Sequence, residues 1–273
     1  MLISKLVNNP VNRFFAFGCS FTNYDWTTWP EIVAEELNVS EFYNLGKNGA
    51  GNELIFNRIM QADQLYDFKE TDLIIVCWTN VTREDRYLNG KWESHGNIYN
   101  QKFWSKEIVE SFYSSPTDLL LHDFAFIKAA RILLQHKKVN WHFLQMLDVF
   151  QSLTQYPSRP LRTVVQPYTE LHDGEQIYLK PSFYDILWQN NLMIKRKKME
   201  QRGFLCSDLH PTPAEHFQYL RDVFDHEWNE HTMSKVQQME EKFSEIFVNI
   251  KSYDDTVKSD FGHLRLSDQH NIY

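Results

Sequence analysis

Three polar side chains stand where an acyl-transfer site would need them. Ser20 follows an apolar run, RFFAF, by way of Gly18 and Cys19. Asn80 comes just after a second apolar run, DLIIVCW. His210 lies in a polar loop, ahead of Pro211 and Pro213, which set up a helix. Between the first two, Gly46, Gly49 and Gly51 break the chain before a helical pattern that starts near Asn52. Acyl transfer takes a hydroxyl nucleophile, a histidine to accept its proton, and donors aimed at the developing oxyanion. In that reading Ser20 is the nucleophile and His210 the base. The backbone N–H groups of Ser20 and Gly49 and the side-chain amide of Asn80 are the oxyanion donors. Taken alone, the glycine turn is equally an ordinary strand–turn–helix connection.

These residues converge only if the elements before them lie side by side. Continuous apolar runs bounded by glycine and small polar residues predict buried strands at 13–17, 42–45, 72–78 and 139–146. Amphipathic spacing predicts helices over 29–37, from residue 52 onward, over 118–138, and from about 213 to 250 with a break near Asn229. Alternation of strand and helix implies a parallel, doubly wound sheet, whose ligands sit at the carboxyl ends of the strands. The expected architecture is one α/β domain over 1–250, with insertions at about 82–117 and 148–205 and a polar tail at 251–273. The apolar positions of the last helix (Val236, Met239, Phe243, Ile246, Phe247) would pack on the domain or on a partner, including a second copy of the chain.

The bulk composition narrows the function classes. A chain of 273 residues with 28 Lys+Arg against 36 Asp+Glu carries a formal charge of -8, which argues against a general nucleic-acid or anionic-membrane surface. The basic run at 195–198 reads as a solvated helix face. Mean hydropathy is -0.50, no segment is apolar enough to cross a bilayer, and the first residues have no leader-like run, so a cytoplasmic protein is expected. Cys19, Cys77 and Cys206 each fall near one of the polar landmarks. They are either a thiol or metal site or, as free cysteines usually are, small buried hydrophobes. The rings of Trp92, Tyr99 and Trp104 lie in the first insertion, packing it or lining a pocket.

Four stretches in order resemble the SGNH (GDSL-type) hydrolases: GCSFT around Ser20, NLGKNGAGN around Gly49, WTN ending in Asn80, and DLHPTP around His210. The similarity covers roughly residues 13–82 and 203–225. It implies a three-layer α/β/α, flavodoxin-like fold and a Ser–His–Asp acyl-enzyme mechanism without metal or organic cofactor. The implied substrates are esters, among them acyl groups on carbohydrates or small molecules. In the family an aspartate stands three residues before the histidine. Here that position is Ser207, and Asp208 is the nearest carboxylate, the expected orienter of His210 in place of a backbone carbonyl. The third block has Trp78 and Val81 where the family has glycine and aspartate, which implies a bulkier pocket wall at Trp78. Asn23 and Asp25 either line the pocket or cap the following helix, and His216, in the helix after His210, reads as a surface or core residue ahead of one at the edge of the site. Two other functions fit the same scaffold: a binding or assembly protein that hydrolyses nothing, and an acyltransferase.

Overall fold

β1 (Arg13–Phe17) runs through the interior of a parallel sheet, hydrogen-bonded to β2 (Glu41–Asn44) on one side and β3 (Asp72–Trp78) on the other. β6 (Asn140–Gln145) pairs with the far side of β3, giving the order β2-β1-β3-β6. Leu179 adds a parallel bridge to Phe143 beyond it. The computed structural model describes residues 5–7, 9–100, 102–112, 116–149, 178–188 and 210–248.

This order dictates where the helices go. The crossover from β1 through α1 (Trp29–Leu37) to β2 moves one way along the sheet. The crossover through α2 (Asn52–Tyr66) to β3 moves the other way, as does the later one through α4 (Pro116–Lys137) to β6. Right-handed crossovers in opposite directions place their helices on opposite faces. The packing agrees: α2 packs on α4, whereas α1 packs on α5 (Pro213–Val223) and α6 (Glu230–Val248). The result is the three-layer α/β/α arrangement expected.

Covered on both faces, the central strands β1 and β3 are apolar after their first residues, Arg13 and Asp72. All seven residues of β3 are buried, as parallel strands under two helical layers must be. In β1 and β2 the register sets Phe14 against Phe42 and Phe15 against Tyr43. Both ring pairs stack, with centroids 5.3 and 4.6 Å apart. At the amino edge Arg13 makes a two-pronged bond to the buried carboxylate of Asp72 (2.8 and 2.6 Å), pinning β1 to β3 away from the site.

The first insertion contains an antiparallel hairpin, β4 (Arg83–Leu88) and β5 (Lys91–Asn97), and a short helix α3 (Lys106–Phe112). Asn89 and Gly90 at its tip both have positive φ (52° and 81°), the two-residue turn that suits the strand twist. The last helical region divides into α5 and α6 on either side of Asn229. Val236, Met239 and Phe243 of α6 are buried in the domain. Of the second insertion, residues 148–149 and 178–188 are described, with a π-helical turn at Tyr184–Trp188. The basic run and the polar tail lie outside the described residues.

Candidate active site

β1 stops at Phe17 because the chain must turn sharply there. A Cβ at Gly18 would come within 2.0 Å of Thr22 Oγ1 and 2.9 Å of the Cys77 carbonyl oxygen, so only glycine fits. The turn closes when the N–H groups of Thr22 and Asn23 donate to Cys19 O (3.0 and 3.1 Å). Ser20 sits in this turn, 3% exposed, at the carboxyl edge of the sheet. Its side chain makes no hydrogen bond to any described residue.

The glycine turn after β2 is tied directly to this one. Lys47 N–H donates to Gly18 O (3.0 Å), Asn44 Nδ2 to Thr22 O (2.9 Å) and Asn23 Nδ2 to Gly46 O (3.2 Å). Gly49 has φ +77°, and the carbonyl oxygen of Ser94 on β5 would lie 3.2 Å from any Cβ there. Both conditions favour glycine.

α2 begins immediately afterward, and its cap comes from the hairpin. The buried Asp85 carboxylate accepts from Gly51 N–H through both oxygens (3.0 Å each) and from Leu54 N–H (2.9 Å). Ser94 Oγ donates to the same carboxylate (2.7 Å). Asp85 thus satisfies two of the free donors that a helix start leaves. No local sequence signal marks it, since it lies 34 residues from Gly51.

At the end of β3 two asparagines divide the work. Asn52, on the first turn of α2, clamps the Thr79 backbone: its Oδ1 accepts from Thr79 N–H (2.8 Å) and its Nδ2 donates to Thr79 O (3.1 Å). Asn52 Nδ2 also donates to the buried carboxylate of Asp123 on α4 (2.6 Å). Burial pushes the Asp123 carboxyl well above the usual carboxylate range, the Asn52 bond opposing it in part. One residue on, Asn80 Oδ1 accepts from Thr82 N–H (2.9 Å) and Thr82 Oγ1 (3.0 Å). A backbone N–H only donates, so Oδ1 is fixed on that side and the Asn80 NH2 group is turned away from it.

His210 joins this edge from the far end of the chain. Its ring stacks on Tyr24 (centroids 3.7 Å, planes 14° apart) and leans on Phe21 (5.4 Å). Both rings belong to the segment that begins at Ser20. The chain after the histidine is held twice. Trp26 Nε1 donates to Pro211 O, 185 residues away (2.8 Å). Thr212 and Glu215 then form a reciprocal cap that starts α5. No hydrogen bond joins Ser20 Oγ to the His210 ring, as often happens in sites that tighten only around substrate.

Several expectations are corrected here. Trp78 is fully buried, its ring edge-on to Phe143 (5.4 Å), so it fills the core and presents no wall to a pocket. Neither Asn23 nor Asp25 caps α1, whose N-cap is Thr28. Asn23 braces the two turns, and Asp25 is exposed. His216 is buried against Phe21 and Phe183 (6.5 and 5.4 Å). Burial, and secondly the charge of His210, hold its imidazole well below the usual histidine value. Cys19 and Cys77 are free and buried, and burial pushes the Cys77 thiol well up, which fits small hydrophobes rather than a reactive pair. Among the described residues no His, Cys, Asp and Glu group could hold a metal, and no helix is long and apolar enough to cross a membrane. Asp208 and Cys206 lie outside the described residues.

No protein-family model matches the chain, and no characterised protein matches it in sequence. Among solved structures it is similar to a lipolytic protein of the G-D-S-L family from Veillonella parvula, at 13% identity over 78% of this chain and 98% of that one, with a TM-score of 0.41. It is also similar to a GDSL-like lipase from Bacteroides thetaiotaomicron (12% identity, 78% and 85% covered, TM-score 0.39). The psychrotrophic esterase EstA from Pseudoalteromonas sp. is a third (11%, 78% and 96%, 0.40). At such low identities and TM-scores these likenesses say nothing about chemistry.

Proposed function

We propose that the chain is a serine esterase or acylhydrolase acting through an acyl-enzyme. The observation that carries this reading is the packing of His210 on Tyr24, face to face, and on Phe21, at a tilt, which holds an imidazole beside the turn containing Ser20. His210 takes the Ser20 Oγ proton as Oγ bonds to the ester carbonyl carbon. The carbonyl oxygen becomes an oxyanion held by Ser20 N–H, Gly49 N–H and the Asn80 NH2 group. The C–O bond to the alcohol then breaks and His210 returns the proton to the leaving oxygen. Water, deprotonated by His210 in turn, adds to the acyl carbon; the C–Oγ bond then breaks, His210 returns the proton to Ser20 Oγ, and the acid leaves. Asp208 is the proposed orienter of the imidazole, and the face-to-face Tyr24 ring helps to hold its plane. The substrate proposed is an acyl ester of a carbohydrate or another small molecule.

Against this stands the binding-protein reading, favoured by the 3% exposure of Ser20 and the missing Ser20–His210 bond. Hydrolysis of para-nitrophenyl acetate by wild type and Ser20→Ala decides between them. The esterase reading expects turnover that falls by about a thousandfold or more in the variant, with fluorophosphonate labelling of wild type alone. Equal rates in both proteins, or none with no labelling, would overturn it. An added alcohol acceptor that diverts the acyl group from water would identify an acyltransferase.

A further inference from the structure

Beside the glycine turn, on the hairpin side, lies a groove of about 600 Å³. Its walls come from α2, the start of the glycine turn and the tip of the hairpin. Leu54 contributes apolar surface, Tyr87 and Trp92 contribute rings, and Lys47, Arg58 and Lys91 contribute charge. Ser20, Asn80 and His210 are not among the lining residues.

The charges are unevenly balanced. Lys91, at the rim, pairs with Glu93 (2.6 Å). Lys47 and Arg58 are half-buried, and neither makes an ion pair with a described residue. Each is instead held by a backbone carbonyl: Lys47 Nζ donates to Trp92 O (2.9 Å) and Arg58 Nη1 to Leu45 O (2.6 Å). Those bonds fix the two cations in the wall and leave most of their donors unused. The buried Asp85 carboxylate acts on both cations through its charge, but its oxygens are taken by the start of α2 and by Ser94 rather than by either cation. Burial lowers the pKa of both cations and the charge of Arg58 further lowers that of Lys47, with the Asp85 carboxylate opposing both shifts only in part. Two partly desolvated positive charges sharing one groove repel each other, and an anion between them would relieve both.

We propose that this groove binds a phosphate monoester of a ring compound, with the phosphate on Lys47 and Arg58 and the ring on Trp92 and Tyr87. A phosphate monoester, with a charge of about -1.5 to -2, can neutralise both cations, whereas a carboxylate can neutralise one. Arginine supplies the planar fork and lysine the point charge that phosphate oxygens accept. Trp92 is half-buried and meets Tyr87 edge-on (5.5 Å), leaving flat surface for a sugar or base. The groove shares no lining residue with the proposed catalytic set, so the inference holds whether or not Ser20 is a nucleophile.

Titration calorimetry with glucose 6-phosphate, inorganic phosphate, glucuronate and glucose tests it on wild type, Ser20→Ala, Lys47→Met and Arg58→Met. The expected result is that glucose 6-phosphate binds and inorganic phosphate displaces it. Glucose and glucuronate should bind at least about tenfold more weakly, and each groove variant should lose about tenfold, the loss of one charge-assisted hydrogen bond. Ser20→Ala should bind as wild type does. Because Arg58 also supports Leu45 O, Lys47→Met is the decisive variant, with its fold checked by circular dichroism. The proposal is overturned by unchanged binding in folded Lys47→Met, or by glucose or glucuronate binding as well as glucose 6-phosphate. Absence of binding by both phosphate compounds at about 10 mM, a very weak limit, would overturn it too.

Discussion

The glycine turn between β2 and α2 separates two unlike neighbourhoods. On the Ser20 side the surroundings are aromatic and nearly sealed: Phe21 and Phe183 are buried, His216 lies beneath them, and His210 is stacked on Tyr24. On the hairpin side the same turn opens onto a groove whose wall carries the cations Lys47 and Arg58. A nearly sealed, aromatic site suits chemistry in which charge appears only in the transition state, because fixed donors then act at low dielectric. An open cationic groove suits a ligand that is charged from the start. One loop therefore has to stay rigid for two different purposes, and its supports can be removed one at a time.

Asp85 is the support both sides share, and removing it should have the largest effect on stability. Asp85→Ala would strand the buried N–H groups of Gly51 and Leu54 and the Ser94 hydroxyl. Each orphaned buried group costs about 1–3 kcal/mol, so a loss of roughly 3 kcal/mol in urea unfolding is expected. Ester turnover and phosphate binding should weaken together. Asp85→Asn, which retains an acceptor oxygen, should recover part of the loss. If Asp85→Ala impaired binding but left ester turnover intact, the Ser20 side would be holding the turn by itself.

Acid should damage the sealed side first. His216 is neutral in the fold, its imidazole held well below 6.5 by burial. On β6, His142 is pushed down to about 4 by burial, although its bond to Leu6 O opposes this. A group whose folded pKa is depressed favours the fold above its unfolded value and loses that contribution as pH falls toward the folded one. Unfolding free energy should therefore decline as pH falls below about 6.5 for both histidines, the His142 share reaching roughly 3 kcal/mol by about pH 4. His216→Leu should flatten its share of the slope in urea titrations at successive pH values. A slope unchanged in that variant would mean that His216 titrates normally in the fold.

How much of this could be read from the chain depends on whether the signal was local. β3 is found over Asp72–Trp78, as expected, because an unbroken apolar run between polar turns has few other uses. The place of His210 just ahead of a helix is legible from the prolines beside it. The hairpin was not read, since REDRYL and KWESHGN are too polar to show strand alternation, although Asn89–Gly90 is a recognisable hairpin turn. The block position of Trp78 points to the pocket, whereas its packing on Phe143 turns it into the core. Asn52, Asp85 and Asp123 gain their roles from partners 27 to 71 residues away. Their residue types alone point nowhere, and only the fold reveals them.

The smallest expected effect concerns Asp123, which reaches the sealed side only through Asn52 and the Thr79 backbone. Its carboxyl is held well above the usual range by burial, with Glu84, Asp85 and Glu53 adding to the shift. With the folded pKa above the unfolded value, the native state binds more protons over the interval between them. Stability is then fully present below about 3.8 and falls as pH rises toward the folded value. Asp123→Asn keeps an acceptor oxygen for Asn52 Nδ2 and cannot ionise. It should gain about 1 kcal/mol at neutral pH and lose this part of the pH dependence, with ester turnover unchanged within about twofold. A variant that gained stability but lost turnover would show that the Asp123 charge is felt at Asn80. The sealed side would then be less electrically quiet than its aromatic walls suggest.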